Sequence, residues 1–421
     1  MLDIKFIREN PDLIKEAARK KRINFNIDEL LAVEKTRGEL LLAVEGMRAE
    51  QNSYTDKIAK ATNQEERQQM IDQMRVFKET MVSKEEELRD VMEKWRGLML
   101  QVPNVPDISV PEGESDEQNE EVKRWGEPSH FSFEAKSHIE LMEKHNMVDF
   151  ERGTKVAGFR GYFLKGDGVL LANAVWQLAL EHWTKKNFVP MIVPSLVRRE
   201  TFMGSGYLPQ GEEDLYKTQD GDYLAGTAEV ATMGYYMDEV IDLSKGPIKF
   251  VSFSPCFRRE AGAHGKDTRG LIRVHEFFKW EQVVLTEANH EISVALHDEI
   301  NRNTEEFIEL LGIPYHTVVN CGGDLGLGQV KKYDIELWVP GEGKYREISS
   351  ASYFHDFQTR RLNLRYRDTE GKMRFAHSLN CTAIPTPRIL VSIVENYQNE
   401  DGTIRIPQAL QRFMGKSVIG G

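Results

Sequence analysis

The chain has 421 residues, enough for two to three domains around a large core, and its 55 Lys and Arg against 67 Asp and Glu leave a net charge of −12, so no global positive field draws it to nucleic acid. An apolar fraction of 40% with 9% aromatic residues excludes a disordered or collagen-like chain. Three isolated cysteines, Cys256, Cys321 and Cys381, lack the paired spacing of a zinc site or a disulfide framework, which predicts a reducing compartment and no structural zinc.

The amino-terminal segment alternates charges where a signal peptide carries an uninterrupted apolar run. The most apolar stretch, 168–183, contains Asn173, Gln177, Glu181 and His182 and is too short and polar to span a membrane. The expected location is the cytoplasm. Asn10 before Pro11 reads as an N-cap with proline at the first helical position, opening a short helix toward Lys21.

From about Asp28 to Ala61, and from about Asn63 to Leu100, there is no proline, which predicts two long helices. In the second, Met74, Met81, Leu88, Met92, Trp95 and Met99 recur at spacings of three and four, with Lys78 and Glu85 filling the missing seam positions. In the first, Leu30, Leu41, Val44 and Ile58 follow the same rule, and Thr62 to Glu65 fits a capping box that restarts the chain in the opposite direction. The pair is expected as an antiparallel coiled-coil arm, each helix roughly 50 Å long at about 1.5 Å per residue. Between Asp28 and Arg96, 12 Lys and Arg stand against 16 acids, a balance of −4, so the arm is not a basic rod and a plain solvated coiled coil stays open.

Gln101 to Glu121 carries Pro103, Pro106, Pro111 and many acids, which is linker composition. It divides the chain into an N-terminal domain, 1–100, a linker, 101–121, and a second domain, 122–421. Beyond the linker, strand patterns appear at Ile248 to Phe253, Phe278 to Leu285, Tyr333 to Val339 and Tyr345 to Ser350, and helical ones at Leu170 to Lys186, Glu287 to Leu311 and Arg388 to Tyr397. The expected class is α+β, an antiparallel sheet flanked by helices.

The sharpest chemical signal is Cys256-Phe257-Arg258-Arg259-Glu260-Ala261-Gly262, followed by a polar loop and then Arg269-Gly270-Leu271-Ile272-Arg273-Val274-His275-Glu276-Phe277. Two strands joined by that loop place arginines at both ends, where the guanidinium forks of Arg258 and Arg273 suit a polyphosphate and Phe277 suits a purine face. Gly322, Gly323, Gly326 and Gly328 are not ordered as a phosphate loop and read as an active-site loop or a turn. His130, His138 and His145 are too widely spaced to share one helical face and read as surface histidines; His275-Glu276 lacks the second histidine of a zinc motif.

Pro194, FRREAG, RGLIRVHEF and NCTAIPTPR resemble, in order and spacing, the three signature motifs of the class II aminoacyl-tRNA synthetases. Thr227-Ala228-Glu229, YDIE at 333–336, Glu347-Ile348-Ser349-Ser350, DFQTRR at 356–361 and ENYQ at 395–398 narrow the resemblance to the seryl-tRNA synthetase family, bacterial type. The resemblance implies activation of L-serine by ATP to seryl-adenylate and transfer to the 3′ end of tRNA(Ser), with tRNA(Sec) open as a second acceptor. It implies that Arg258, Glu260, Arg273 and Arg388 are catalytic. The ATP-binding set it implies is Arg258, Arg259, Glu260, Arg273, Val274, Phe277, Glu347, Ile348, Ser349, Ser350 and Arg388, with Mg²⁺ held by Glu347 and Ser350 beside the phosphates.

The implied serine-binding set is Thr227, Ala228, Glu229, Arg258, Glu281, Asn380 and Thr382, the last standing where many members carry serine. The chemistry agrees, because serine's ammonium needs carboxylate acceptors and its hydroxyl needs short polar partners. The resemblance also implies a homodimer, with the segment around Leu170 to Pro194 at the subunit contact, and an arm that holds the long variable arm of tRNA(Ser). Lys35, Arg37, Lys57, Lys60, Arg75 and Lys78 are the candidate RNA contacts. Two alternatives are an amino acid:carrier-protein ligase, which would lack the arm, and an inactive coiled-coil paralogue, which would have lost its charged site residues.

Overall fold

The computed structural model describes residues 1–263 and 265–421 and divides into two units, Met1–Arg19 with Ile23–Pro103, and Lys20–Arg22 with Asn104–Gly421. The first unit opens with a helix too short to show a period, α1 (Ile4–Glu9), whose Lys5 amide is capped by Asp3. Proline does start the next helix, α2 (Pro11–Lys20). Asn10, however, closes α1: both its amide and its Nδ2 donate to the Phe6 carbonyl.

The proline-free stretches form α3 (Ile27–Lys60) and α4 (Gln64–Met99), and the ion pairs Glu29 with Lys94 and Arg48 with Glu85 fix them as antiparallel. The seam runs Leu30, Val33, Arg37, Leu40, Val44, Met47, Gln51, Tyr54 and Ile58, an unbroken alternation of three and four. Leu40 therefore occupies the place expected for Leu41, which is exposed. On α4, Phe77 likewise covers the position assigned to Lys78, while Glu85 stays at the seam edge and reaches Arg48. The expected capping box is absent; Asn63 alone caps α4 by accepting from the Glu65 amide at 2.9 Å.

The proline-rich stretch divides at Pro103. Asn104 is buried and donates to the carbonyls of Gly328 and Phe354, and Asp107 accepts from the Tyr353 hydroxyl, so residues 104–121 lie ordered on the second unit. Extended prolyl backbone lacks internal partners, and side-chain bonds such as these replace them.

The stretch leads into an eight-stranded sheet made of β1 (Glu120–Trp125), β2 (Val189–Ile192), β3 (Ile248–Phe257), β4 (Glu276–Thr286), β5 (Tyr315–Val319), β6 (Lys331–Val339), β7 (Lys344–His355) and β8 (His377–Thr386). The order is β1-β5-β6-β7-β8-β4-β3-β2, antiparallel except for the edge pair β2 and β3. Central β8 alternates Leu379, Cys381 and Ala383 with Asn380 and Thr382, and its Pro385, which argues against a central strand in sequence, falls beyond the pairing with β7, where only β4 lies alongside.

Helices α5 (Asp167–Lys185), α6 (Ala228–Gly234), α7 (His290–Leu311) and α8 (Arg388–Asn396) flank the sheet. Trp183 of α5, Phe307 of α7 and Ile393 of α8 belong to one core with Val284, Ile335 and Leu379 of the strands. His138, expected at the surface, is buried: Nδ1 bonds Glu395 at 2.8 Å and Nε2 accepts from the Leu271 amide. That imidazole ties the loop carrying Arg273 to α8. Among the described residues no helix is long and apolar enough to cross a membrane.

Candidate active site

Arg258 and Arg273 flank the loop between β3 and β4, and the Arg258 amide donates to the His275 carbonyl, closing the loop's base. Gly226 lets Arg258 pass: a Cβ there would lie 3.1 Å from the Arg258 Cγ. The Arg258 guanidinium carbon stands 5.4 Å from the centre of the Phe277 ring. Glu260, in the left-handed backbone region at φ 55°, accepts from Arg273 Nη1 at 2.5 Å. Arg273 and Arg346 both meet Asp267, whose carboxyl lies below its usual range although burial opposes this, because the two guanidinium groups stabilise its charge.

Arg388, the first residue of α8, donates to the carbonyls of Ile272 and Glu347, each at 2.9 Å. Burial pushes its pKa down, the neighbouring Arg258 and Arg273 add to the shift, and Glu347 opposes them. Arg258, Glu260, Arg273, Phe277, Glu347 and Arg388 line one cavity together with Val274, Ile348 and Lys279. Cations around an aromatic ring suit the phosphates and base of a nucleotide.

A second cavity of about 420 Å³ shares Arg258, Lys279, Glu347 and Thr382 with the first, so the cleft is continuous. It adds Tyr207, Glu229, Glu281, Ser350 and Asn380. Glu229 comes from the first turn of α6, where Thr227 caps the helix and also donates to Glu281 at 3.1 Å. Tyr207, Gln358 and Asn380 donate to Glu229 at 2.9, 2.7 and 2.8 Å. Burial, then the nearby Glu281 charge, still raises the Glu229 pKa to about 7. Asn380 also reaches Glu281, which forms an ion pair with Lys279.

Phe277, Lys279 and Glu281 alternate along β4 and so share one face of the sheet. A bulge between Trp280 and Glu281 sets Thr382 of β8 directly opposite Glu281. One strand thus spans the cleft from its aromatic end to its acidic end.

Three of the residues singled out in sequence turn their side chains elsewhere. Arg259 reaches the Glu213 carbonyl, Ser349 donates to the Thr382 carbonyl, and Ala228 is buried, whereas Thr227, also buried, meets the site through Glu281. Gly326 and Gly328 do line the acidic cavity, as an active-site loop would. Lys279 and Tyr207 were not singled out, and Gln358 entered only as part of DFQTRR at 356–361, without a role. A lone lysine two residues from a glutamate in an otherwise apolar strand is a readable signal for the first; the tyrosine, in a loop without a motif, offers none. For a divalent ion, Glu347 and Ser350 supply one carboxylate and one hydroxyl, hard oxygen donors that suit Mg²⁺ when phosphate oxygens complete the shell. Among the described residues no group of three or more His, Cys, Asp or Glu is set to hold a metal ion by itself.

Comparison with known proteins follows the same division. The model for the seryl-tRNA synthetase N-terminal domain matches residues 1–106, and that for the tRNA synthetase class II core domain (G, H, P, S and T) matches 216–397. The serine--tRNA ligase of Deinococcus radiodurans is 44% identical over 100% of this chain and 99% of its own. That of Thermodesulfovibrio yellowstonii is 42% identical over 100% of both chains. Among solved structures, seryl-tRNA synthetase from Pyrococcus horikoshii complexed with ATP superposes with a TM-score of 0.90 at 37% identity, covering 100% of this chain and 99% of that one. The cytoplasmic serine-tRNA ligase from Naegleria fowleri in complex with AMP gives 0.87 at 33% identity, covering 100% and 98%.

Proposed function

The chain belongs to the seryl-tRNA synthetase family, and we propose that its continuous cleft seats ATP at the Phe277 end and L-serine at the Glu281 end. It is a serine--tRNA ligase, a class II aminoacyl-tRNA synthetase. The observation that carries the assignment of ends is the buried carboxylate pair Glu229 and Glu281 opening into the same cavity as Arg258.

Serine's ammonium is received by the carboxylates and its hydroxyl by Thr382 and Asn380. Its carboxylate, ionised at neutral pH, is the nucleophile, so adenylation needs no general base. The carboxylate oxygen attacks the α-phosphorus, pyrophosphate leaves, and Arg258 neutralises the charge that builds on the α-phosphate oxygens. Phe277 supports the adenine ring with Glu260 at its edge, and Arg273 and Arg388 hold the outer phosphates. Mg²⁺ on Glu347 and Ser350 would add positive charge to the phosphate chain. In the second step a terminal ribose hydroxyl of tRNA(Ser) attacks the seryl carbonyl and AMP departs.

The helical hairpin supplies the RNA contact by shape and by local cations. Arg37 is committed within the hairpin, pairing with Glu34 and lying over Trp95, whereas Lys60 and Lys78 are exposed. The homodimer reading draws support from strand β2 at the sheet edge, where Ile192 is 85% exposed. Three free cysteines suit the cytoplasm. Nothing favours a carrier-protein ligase, which would lack the arm, or an inactive paralogue, since every charged residue of the cleft is in place.

The test is ATP–pyrophosphate exchange with serine, threonine, alanine and glycine in turn. Serine is expected to dominate, because alanine leaves Thr382 and Asn380 unpaired and threonine adds a methyl group. Arg258→Ala is expected to slow the reaction by about 10²-fold or more. Equal exchange with alanine refutes the pocket assignment.

A further inference from the structure

Lys279 is an ammonium buried in the cleft to which the two steps above give no task. It is 5% exposed, pairs with Glu281 Oε2, and donates to Thr382 Oγ1 at 3.3 Å. Both partners are groups assigned to serine. An amino acid entering the acidic end brings a second ammonium to the same carboxylate, and two unit charges a few ångströms apart in a buried pocket repel strongly. Moving one of them away from Glu281 relieves that repulsion.

The geometry indicates which one. Lys279 stands on β4 between Phe277 and Glu281, midway between the aromatic and acidic ends, and lines both cavities together with Arg258. Its flexible four-carbon stem lets the charge swing while the backbone stays fixed in the sheet. The direction open to it is along the cleft, toward the point where the serine carboxylate meets the α-phosphate.

We propose that Lys279 is a serine-displaced cation: it holds Glu281 in the empty pocket, yields that carboxylate to the serine ammonium, and places its own charge beside Arg258 at the reacting carboxylate and phosphate. This rests on the serine reading of the pocket. Full positive charge at the reaction centre is then assembled only after an amino acid has bound. ATP alone meets Arg258 without its second cation.

The experiment is serine-dependent ATP–pyrophosphate exchange by Lys279→Met, with kcat and both KM values resolved. The expected result is a fall in kcat of about 10²-fold, the scale for losing one transition-state charge contact. The KM for serine stays the same or falls, because the competitor for Glu281 is gone. A kcat within threefold of wild type overturns the proposal and leaves Lys279 as a brace for Glu281.

Should the methionine variant fail to fold, Lys279→Arg keeps the charge but grips the carboxylate with a fork that resists displacement. The KM for serine is then expected to rise tenfold or more, and an unchanged value overturns the proposal. Wild-type protein that exchanges no pyrophosphate with serine refutes the serine reading itself, so the two failures are told apart.

Discussion

A carboxyl group buried beside a second carboxylate resists ionisation, and Glu229 is held in that state with a pKa of about 7 against an ordinary 4.5. Below about pH 4.5 the group is protonated in folded and unfolded chains alike and contributes nothing to pH dependence. Between 4.5 and 7 the unfolded chain releases the proton while the native one keeps it, so native stability falls as pH rises; above 7 the deficit is constant. Glu229→Gln keeps the shape and removes the titration. The ligand-free variant is therefore expected to gain on wild type in melting temperature as pH rises from 4.5 to 7, with no further gain at higher pH; a difference independent of pH refutes the assignment. The sequence marks Glu229 and Arg258 through motifs whose order is tied to one reaction, and Glu281 through the family resemblance those motifs carry. It does not mark Tyr207, since that side chain joins the site through a fold contact with no local pattern.

At the scale of elements, the hairpin shows how much a periodic pattern settles and where it slips. Length, direction and the absence of proline place α3 and α4 within a few residues, yet a seam can be drawn through Leu41 as readily as through Leu40 when leucines stand side by side. The structure distinguishes them, with Leu40 6% exposed and Leu41 36%. Leu40→Ala is expected to cost the hairpin about 2 kcal/mol, at the low end for a covered leucine. Leu41→Ala is expected to cost no more than ~0.5 kcal/mol. Amide exchange along α3 reads both as local opening energies, and equal losses would mean that the register is wrong. Strand β8 is hidden for a different reason: Leu379, Cys381 and Ala383 do alternate with Asn380 and Thr382, but the run lacks aromatic residues and its Pro385 argues against a central strand.

For the whole molecule, the separation of two chemistries onto two units makes a sharp expectation. The faces that α3 and α4 bury are turned on each other, with Leu40, Val44 and Met74 covered inside the hairpin. Replacing residues 45–79 with a short turn removes 16 residues from each helix, 45–60 and 64–79, and uncovers little new apolar surface. The cleft residues all lie between Ser205 and Arg388, beyond the cut. Serine-dependent pyrophosphate exchange is therefore expected to persist near the wild-type rate. Charging of tRNA(Ser) is expected to collapse, and the salt dependence of RNA binding to flatten, because each lost phosphate contact lowers the slope by roughly one. An arm that served only as a coiled-coil appendage would leave charging intact, and that result would remove the hairpin from the RNA-binding role while leaving the adenylation chemistry untouched.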